Sequence, residues 1–460
     1  MSLAQADLVS SSRPAADSAW RRRADEGRAL LRLAAPIALI ALVNMGMSVT
    51  DTVMVSALFG ADALAAVAVG SDLYSIVFYL CAGVLGGIAP FYTAAVTRAD
   101  GNDRARLERI GWATVVLLAG FTVPLVWLAP IWLESFGLEP ALLQRGQGYT
   151  RAVALMLLPM LGVMLYRTIL TAAEQPKVFL KVTLAMLPLN AVANYVLMLG
   201  LGPMPALGPT GAGVSSLLVA AASLAVLVFI ARRAFPAAHR ADAPFDWRGM
   251  AAVLRLGIPI GITMTAETGI FLGATLYAAT LGAADVAAHT LTLRMAGIAY
   301  AGSAALLQAA MVRMARAEAL GDAATARAVA ASSIVLSLVF GAAMCLMLVL
   351  GAGPLAAVFF DAGAAGIKAA EIATGLLILL GVLQFAGYPS LAAAGLLRGR
   401  KDTRAPMVYM LVGYWAVAAP LGLYLCETLA LGVTGIWIGL TTGAFATAGL
   451  TLRRQCSAAS

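Results

Sequence analysis

An ionisable side chain placed in the middle of a lipid bilayer costs about 2.5–3.5 kcal/mol on insertion scales, so each one needs a reason. Asp51, Asp72, Glu267 and Arg294 all fall well inside apolar stretches of this sequence. Asp51 follows Pro36, and a helical rise of about 1.5 Å per residue places it roughly 22 Å along its stretch. Asn190 and Asn194 are one helical turn apart and therefore share a face. Counted from Pro176, they lie roughly 21 and 27 Å along theirs. Ser216 lies roughly 12 Å from the start of a stretch that opens at Gly208. If that stretch runs the opposite way, all four residues meet at one depth of a ~30 Å apolar core. A carboxylate, two carboxamides and a hydroxyl are hard oxygen ligands for a small cation, or groups able to relay a proton. The plainer reading of the two Asn residues is hydrogen bonding between neighbouring helices.

Other expensive residues lie in the second half. Glu267 follows Pro259 by roughly 12 Å of helix, which places it deeper than Asp51. Arg294 pairs with Glu267 or another carboxylate, or else faces a substrate. His289 reads either as a hydrogen-bonding group near a helix end or as a proton handler. Asp72 either lines a cation path or caps a local distortion beside Gly70-Ser71.

The elements that must position these residues come in two copies. Leu31-Arg32-Leu33-Ala34-Ala35-Pro36-Ile37 returns as Leu254-Arg255-Leu256-Gly257-Ile258-Pro259-Ile260. Gly60-Ala61-Asp62-Ala63-Leu64-Ala65-Ala66 returns as Gly282-Ala283-Ala284-Asp285-Val286-Ala287-Ala288, and Leu207-Gly208-Pro209-Thr210-Gly211 as Leu431-Gly432-Val433-Thr434-Gly435. In this register Glu267 falls opposite Asn44, and Asp51 opposite Gly273 or Ala274, so the halves repeat in fold but differ in their acidic sites. Membrane proteins built as two like halves commonly bind their substrate near the repeat interface.

Composition agrees with a membrane solvent. The chain is 61% apolar and 12% charged over 460 residues, against about 25% charged in a soluble domain. Twelve stretches are long enough to span a bilayer. They lie near 33–58, 63–97, 108–133, 146–171, 176–200 and 208–232, then near 251–280, 284–312, 326–351, 369–396, 404–426 and 431–452. All but Arg145, Arg151, Arg294 and Lys368 of the 31 Lys and Arg residues fall in the N-terminal arm, the even-numbered loops, the C-terminus or adjoining helix ends. The positive-inside rule then puts both termini in the cytoplasm, which requires an even number of spans.

The expected organisation is a disordered basic arm over 1–28, a six-helix lobe over 29–233, a cytoplasmic linker over 234–249 and a second six-helix lobe over 250–455. The arm carries Arg21-Arg22-Arg23 without an apolar core, unlike a secretory signal peptide, and anionic lipid is its expected partner. The net charge of +8 follows from topology and does not point to nucleic acid.

Several function classes are excluded. The Gly-rich runs at Gly83, Gly86 and Gly87 and at Gly208, Gly211 and Gly213 lie inside apolar stretches and lack a following Lys-Ser or Lys-Thr, so they form no phosphate loop. They read as close-packing surfaces, like Gly395-x-x-x-Gly399 and Gly435-x-x-x-Gly439. Cys81, Cys345, Cys426 and Cys456 are scattered and form no metal or disulfide pattern. With two His residues in the whole chain, an intramembrane enzyme lacks its acid-base set, and no cofactor is expected beyond a coupling ion.

The sequence resembles the multidrug and toxic compound extrusion family in its NorM-like bacterial branch. The resemblance rests on Pro36 with Asp51-Thr52-Val53-Met54 and the Gly60-to-Ala66 segment, on Pro259 to Glu267 with Leu281-Gly282 and Ala287-Ala288-His289, and on Gln308-Ala309-Ala310-Met311-Val312-Arg313. It extends to Gly395-Leu396-Leu397-Arg398-Gly399-Arg400-Lys401-Asp402-Thr403-Arg404-Ala405-Pro406. It implies an all-α fold of twelve transmembrane helices in two pseudo-symmetric, V-arranged lobes. It also implies a monomeric inner-membrane exporter that exchanges organic cations for Na⁺ or H⁺. By motif, Asp51, Asn190, Asn194 and Ser216 would form the N-lobe cation site, with Ser216 where Thr is usual, and Glu267 would be the C-lobe acid. Gly387 stands where many NorM-like members carry an Asp, which leaves a C-lobe cation site incomplete. A lipid-linked oligosaccharide flippase of the same superfamily is the alternative, and the mostly acidic buried charges argue against it.

Overall fold

The computed structural model describes residues 3–201, 205–234, 245–360 and 363–459, the side chains of 3–18, 234, 364 and 459 excepted. The described residues fold as α1 (Leu3–Gly86), α2 (Ala89–Thr97), α3 (Gly101–Trp127), α4 (Ala129–Ser135), α5 (Pro140–Ala172), α6 (Pro176–Leu199) and α7 (Thr210–Ala234). The second half adds α8 (Trp247–Leu281), α9 (Ala283–Leu320), α10 (Ala323–Phe359), α11 (Ala364–Gly399), α12 (Arg404–Met410), α13 (Ala419–Glu427) and α14 (Gly432–Ala459). A π-helical stretch, Leu411–Ala418, joins α12 to α13 into one continuous span.

Among the described residues eleven helices are long and apolar enough to cross a membrane. The first of them bends at Gly60, whose φ of 81° and ψ of −177° are open only to glycine. That break divides α1 into two spans and makes twelve, as the apolar stretches predict. Gly282, its counterpart in the repeat, separates α8 from α9 with φ 136° and ψ 168°. The caps repeat as well. Asp100 accepts the N–H groups of Asn102 and Asp103 at 3.0 Å to start α3, and Asp322 accepts those of Ala324 and Thr325 at 3.0 Å to start α10. Each satisfies donors that the first helical turn leaves open.

Two expectations about organisation change. Residues 19–28, read as part of a disordered arm, are helical and continuous with α1, and Glu26 and Arg23 find partners on α9 and α10. Residues 1–2 and the side chains of 3–18 lie outside the described residues, as does most of the expected linker, 235–244. The chain also divides elsewhere than at its linker. One compact unit comprises Met1–Ala35 with Gly269–Ser460, and the other Pro36–Thr268. The start of α1 therefore belongs with the second half, and the first two-thirds of α8 with the first half.

Within the Pro36–Thr268 unit the glycines act as the sequence suggests. Gly83 on the second arm of α1 and Gly87 in the turn just after it meet Gly261 and Gly257 of α8 backbone to backbone, and a Cβ at Gly87 would stand 2.6 Å from Gly257 N. The unit's core gathers Leu85, Ile88, Tyr92, Ile110, Leu161 and Leu165. In the other unit a Cβ at Gly399 would stand 2.6 Å from Met311 O, and one at Gly435 2.7 Å from Cys426 N. Without hydrophobic drive inside lipid, such close approach supplies the dispersion contacts that hold spans together.

Candidate cation site

The first arm of α1, α6 and α7 bring the predicted oxygen ligands of the first half together. Asn194 Nδ2 donates to Asp51 Oδ1 at 2.5 Å and to Asn190 Oδ1 at 3.4 Å. The Asn190 amide and the Ser216 hydroxyl also face the Asp51 carboxyl. Asn190 and Asn194 are 2% and 0% exposed, while Asp51 is half-buried. Helical geometry explains the meeting: the two Asn residues are one turn apart on α6, and Asp51 lies nine residues before the Gly60 break, about 14 Å from it.

One atom of this cluster is left over. Asn194 Oδ1 is fully buried and has no hydrogen-bond partner. A buried polar atom without a partner costs about 1–3 kcal/mol, and most such atoms in folded proteins are paired. The Asp51 carboxylate, Asn190 Oδ1 and Asn194 Oδ1 together form a set of hard oxygens suited to a small cation or to a shared proton.

Two neighbours escaped the sequence reading. Ser215, 0% exposed, donates from Oγ to the Asn190 carbonyl at 3.4 Å. Tyr149 of α5 hydrogen-bonds Ser71 and lies near both Asp51 and Asp72. It packs against two buried clusters, one of Val55, Val67, Met198 and Ala212 and one of Val153, Met156 and Ala220. A polar ring inside an otherwise apolar stretch is the signal that marks Tyr149. For Ser215, adjacency to Ser216 is the only hint.

Asp72 is exposed on the second arm of α1. The backbone at Gly70-Ser71 is regular helix, since Gly60 is the non-helical residue of α1, so Asp72 caps no distortion there. Glu267 is half-buried on α8, fifteen residues before Gly282 or about 22 Å. It is therefore set deeper from its helix break than Asp51. Arg294 is exposed on α9 and makes no ion pair among the described residues. The expected pairing of Arg294 with a carboxylate is thus absent from its own unit, where the carboxylates of α9 and α13 have other partners: Asp285 accepts Val433 N–H and Glu427 accepts the Tyr277 hydroxyl at 2.5 Å.

His289 has a defined neutral setting. Trp437 Nε1–H donates to its Nδ1 at 3.1 Å, which requires that nitrogen to be unprotonated. Its Nε2 then carries the hydrogen and donates to Thr275 Oγ1 at 3.0 Å, and Thr275 passes its own proton to the Phe271 carbonyl at 2.9 Å. Both rings are 0% exposed. This chain ties α8, α9 and α14 together and matches the hydrogen-bonding alternative from the sequence. In the repeat register Trp437 occupies the place of Gly213 and Tyr414 that of Asn190. Aromatic bulk fills the counterpart of the oxygen cluster, and among the described residues no group of three His, Cys, Asp or Glu side chains forms a metal site.

Comparison with known proteins agrees with the fold. The family model MatE matches residues 36–196 and 259–424, one copy in each half. The chain is 32% identical over 424 residues to a probable multidrug resistance protein NorM of Rhizobium meliloti, covering 90% of each chain. It is 32% identical over 451 residues to the corresponding protein of Mesorhizobium japonicum, covering 96% of this chain and 95% of the other. Among solved structures, the eukaryotic MATE transporter AtDTX14 superposes with a TM-score of 0.84 at 17% identity, over 95% of this chain and 99% of that one. The matched repeat, the twelve-span fold and the length of the NorM similarity place this chain in the MatE family of multidrug efflux transporters.

Proposed function

We propose that this chain is a secondary active exporter of organic, often cationic, compounds that exchanges them for Na⁺ or H⁺, with coupling centred on Asp51. The observation that carries the proposal is the Asp51–Asn194 contact beside the unpartnered Asn194 Oδ1. A bound Na⁺ would satisfy both the carboxylate and the orphan carbonyl. A proton on Asp51 would remove its charge and reverse the direction of the hydrogen bond available to Asn194. In either case the occupied site no longer attracts an organic cation.

Coupling follows from differential affinity. A ligand shifts a conformational equilibrium only by as much as it prefers one state, and the effect of ion on drug must equal that of drug on ion. If ion and drug favour opposite-facing states, an inward ion gradient drives outward drug movement by alternating access. Glu267 is the second acidic candidate for substrate contact, and Asp72 and Arg294 are further charged candidates. The cationic balance of the even loops supports an inner-membrane protein with both termini cytoplasmic, and nothing in the site calls for a partner chain or a nucleic acid.

The deciding test is dye-cation transport in proteoliposomes under an imposed Na⁺ gradient and, separately, a pH gradient. One gradient should drive efflux in the wild type, and Asp51→Asn should remove that response. If neither gradient moves any cationic dye, the exporter reading fails. Lipid-linked oligosaccharide would then be the next substrate to test.

A further inference from the structure

A bidentate ion pair outside the cation site lies in the first part of α1. Arg313 of α9 grips the Glu26 carboxylate with Nε at 2.9 Å and Nη2 at 2.7 Å. The two side chains are only 12% and 14% exposed, unlike the surface pair Arg28–Asp25 on the same helix, at 74% each. A bidentate guanidinium–carboxylate pair fixes orientation as well as distance. Breaking one side of a buried pair leaves an uncompensated charge. Ser332 of α10 adds a bond from Oγ to the Arg23 carbonyl at 2.8 Å, and Arg22 stands near the Asp322 cap of α10.

The other unit holds a comparable pair, again with the acid at the helix entry and the arginine on a neighbouring helix. Arg23 aligns with Asp246 in the register that relates Leu31 to Leu254. Asp246, at the start of α8, accepts from Arg106 of α3 at 2.7 Å to Nε and 2.5 Å to Nη2, and also accepts the Gly249 N–H at 2.9 Å. In each half the entry to the first span is fastened to cytoplasmic helix ends: α1 to α9 and α10, α8 to α3. Each fastening lies inside one compact unit, while the helix it starts runs on into the other.

We infer that Glu26–Arg313 is a permanent cytoplasmic anchor for α1, so that the movement of transport is taken up beyond residue 35 and the pair sets turnover without touching the drug. Glu26 and Arg313 are thus positioning residues. The inference rests on the exporter reading and goes beyond it. A conformational change needs segments that hold as well as segments that bend, and a half-buried bidentate pair is built to hold.

The test uses full-length protein in proteoliposomes with dye efflux as readout, and wild-type efflux is established first. If the wild type transports nothing, the exporter reading fails rather than the anchor. Given wild-type transport, Glu26→Gln and Arg313→Gln should each lower the maximal rate three- to tenfold at an unchanged half-saturating dye concentration. The exchange Glu26→Arg with Arg313→Glu should restore at least half of the lost rate. Arg28→Gln, which disrupts the exposed pair, should leave the rate as it is. Wild-type rates in well-folded single variants overturn the anchor, and so does failure of the exchange to recover any rate. Should the single variants not fold, Glu26→Cys with Arg313→Cys in a background free of the four native cysteines supplies an independent reading. A thiol-to-thiol cross-linker of ion-pair length should leave transport intact, because the anchor never opens. Arrest of transport on cross-linking would show that it must open, and would sink the inference.

Discussion

Asn194 gives its amide hydrogen to Asp51 Oδ1 across 2.5 Å while its own carbonyl oxygen, fully buried, receives nothing. A side chain that donates to a carboxylate and holds a spare acceptor beside it has the polarity the proposed cation site requires. That asymmetry distinguishes Asn194 from an ordinary interhelical bridge, in which both ends of the amide would be used.

Asn194 should therefore matter to ion affinity beyond its effect on folding. Hydrogen bonds to charged groups are worth about 1.5–3 kcal/mol. Asn194→Ala should weaken the half-saturating concentration of the driving ion by about 10- to 100-fold, with a smaller change in dye affinity. Asn194→Leu, which also removes the amide but keeps the bulk, should behave alike. Initial efflux rates titrated against ion concentration give the number. Equal losses in ion and dye affinity would point to a general collapse of the site.

Asp51→Asn retains shape and loses charge. Gradient-driven efflux should fall to the level of empty vesicles, while binding of a fluorescent dye cation to detergent-solubilised protein should persist within about tenfold, since one exposed-to-half-buried charge contact is worth about 1 kcal/mol. Equilibrium dye titration beside the flux assay separates the two effects. Loss of binding and flux together would move Asp51 from the ion to the drug.

His289 should prove structural. Its Nδ1 is committed as acceptor to Trp437, so protonation would set two donors against each other. His289→Gln should leave the pH profile of efflux unmoved and lower thermal stability by about 1–3 kcal/mol, the cost of disturbing buried hydrogen bonds. A scan of thermal unfolding and a pH series of efflux rates are both needed. A shifted pH optimum with unchanged stability would restore the proton-handling role.

Acid should loosen the starts of α8 and α10. Asp246 is held below the ordinary carboxylate range chiefly by the Gly249 N–H, with Arg106 adding to it. Asp322 is held below it chiefly by Thr325. A carboxyl whose folded value is depressed contributes stability above its unfolded value, near pH 4, and loses it as pH falls through the folded value. These two groups should therefore leave stability flat from pH 7 to about 5 and contribute a decline below about pH 4. The decline should be smaller in Asp246→Asn and Asp322→Asn, which start from a lower plateau at neutral pH. Unfolding midpoints across that range provide the check, and parallel curves for variants and wild type would contradict it.

Periodicity, charge and repetition determine much of this protein without coordinates. Long apolar runs can satisfy their backbone in lipid only as helices, so twelve spans follow from counting. The recurrence of Gly60 as Gly282 marks the two sharp breaks, because those dihedrals exclude every residue with a Cβ. The oxygen cluster was legible too: Asp51, Asn190, Asn194 and Ser216 are all expensive or polar at one computed depth, and helix rise is nearly constant. Hidden from the sequence were the relations that depend on packing between distant segments. The neutral state of His289 is set by Trp437, 148 positions away. The orphan oxygen of Asn194 exists only because its amide turns toward Asp51. Residues 19–28 look disordered by composition, but they continue α1, and Arg313, 287 positions from Glu26, contacts them. Local chemistry chose the helices and their charges, and tertiary contact decided which of those charges are paired.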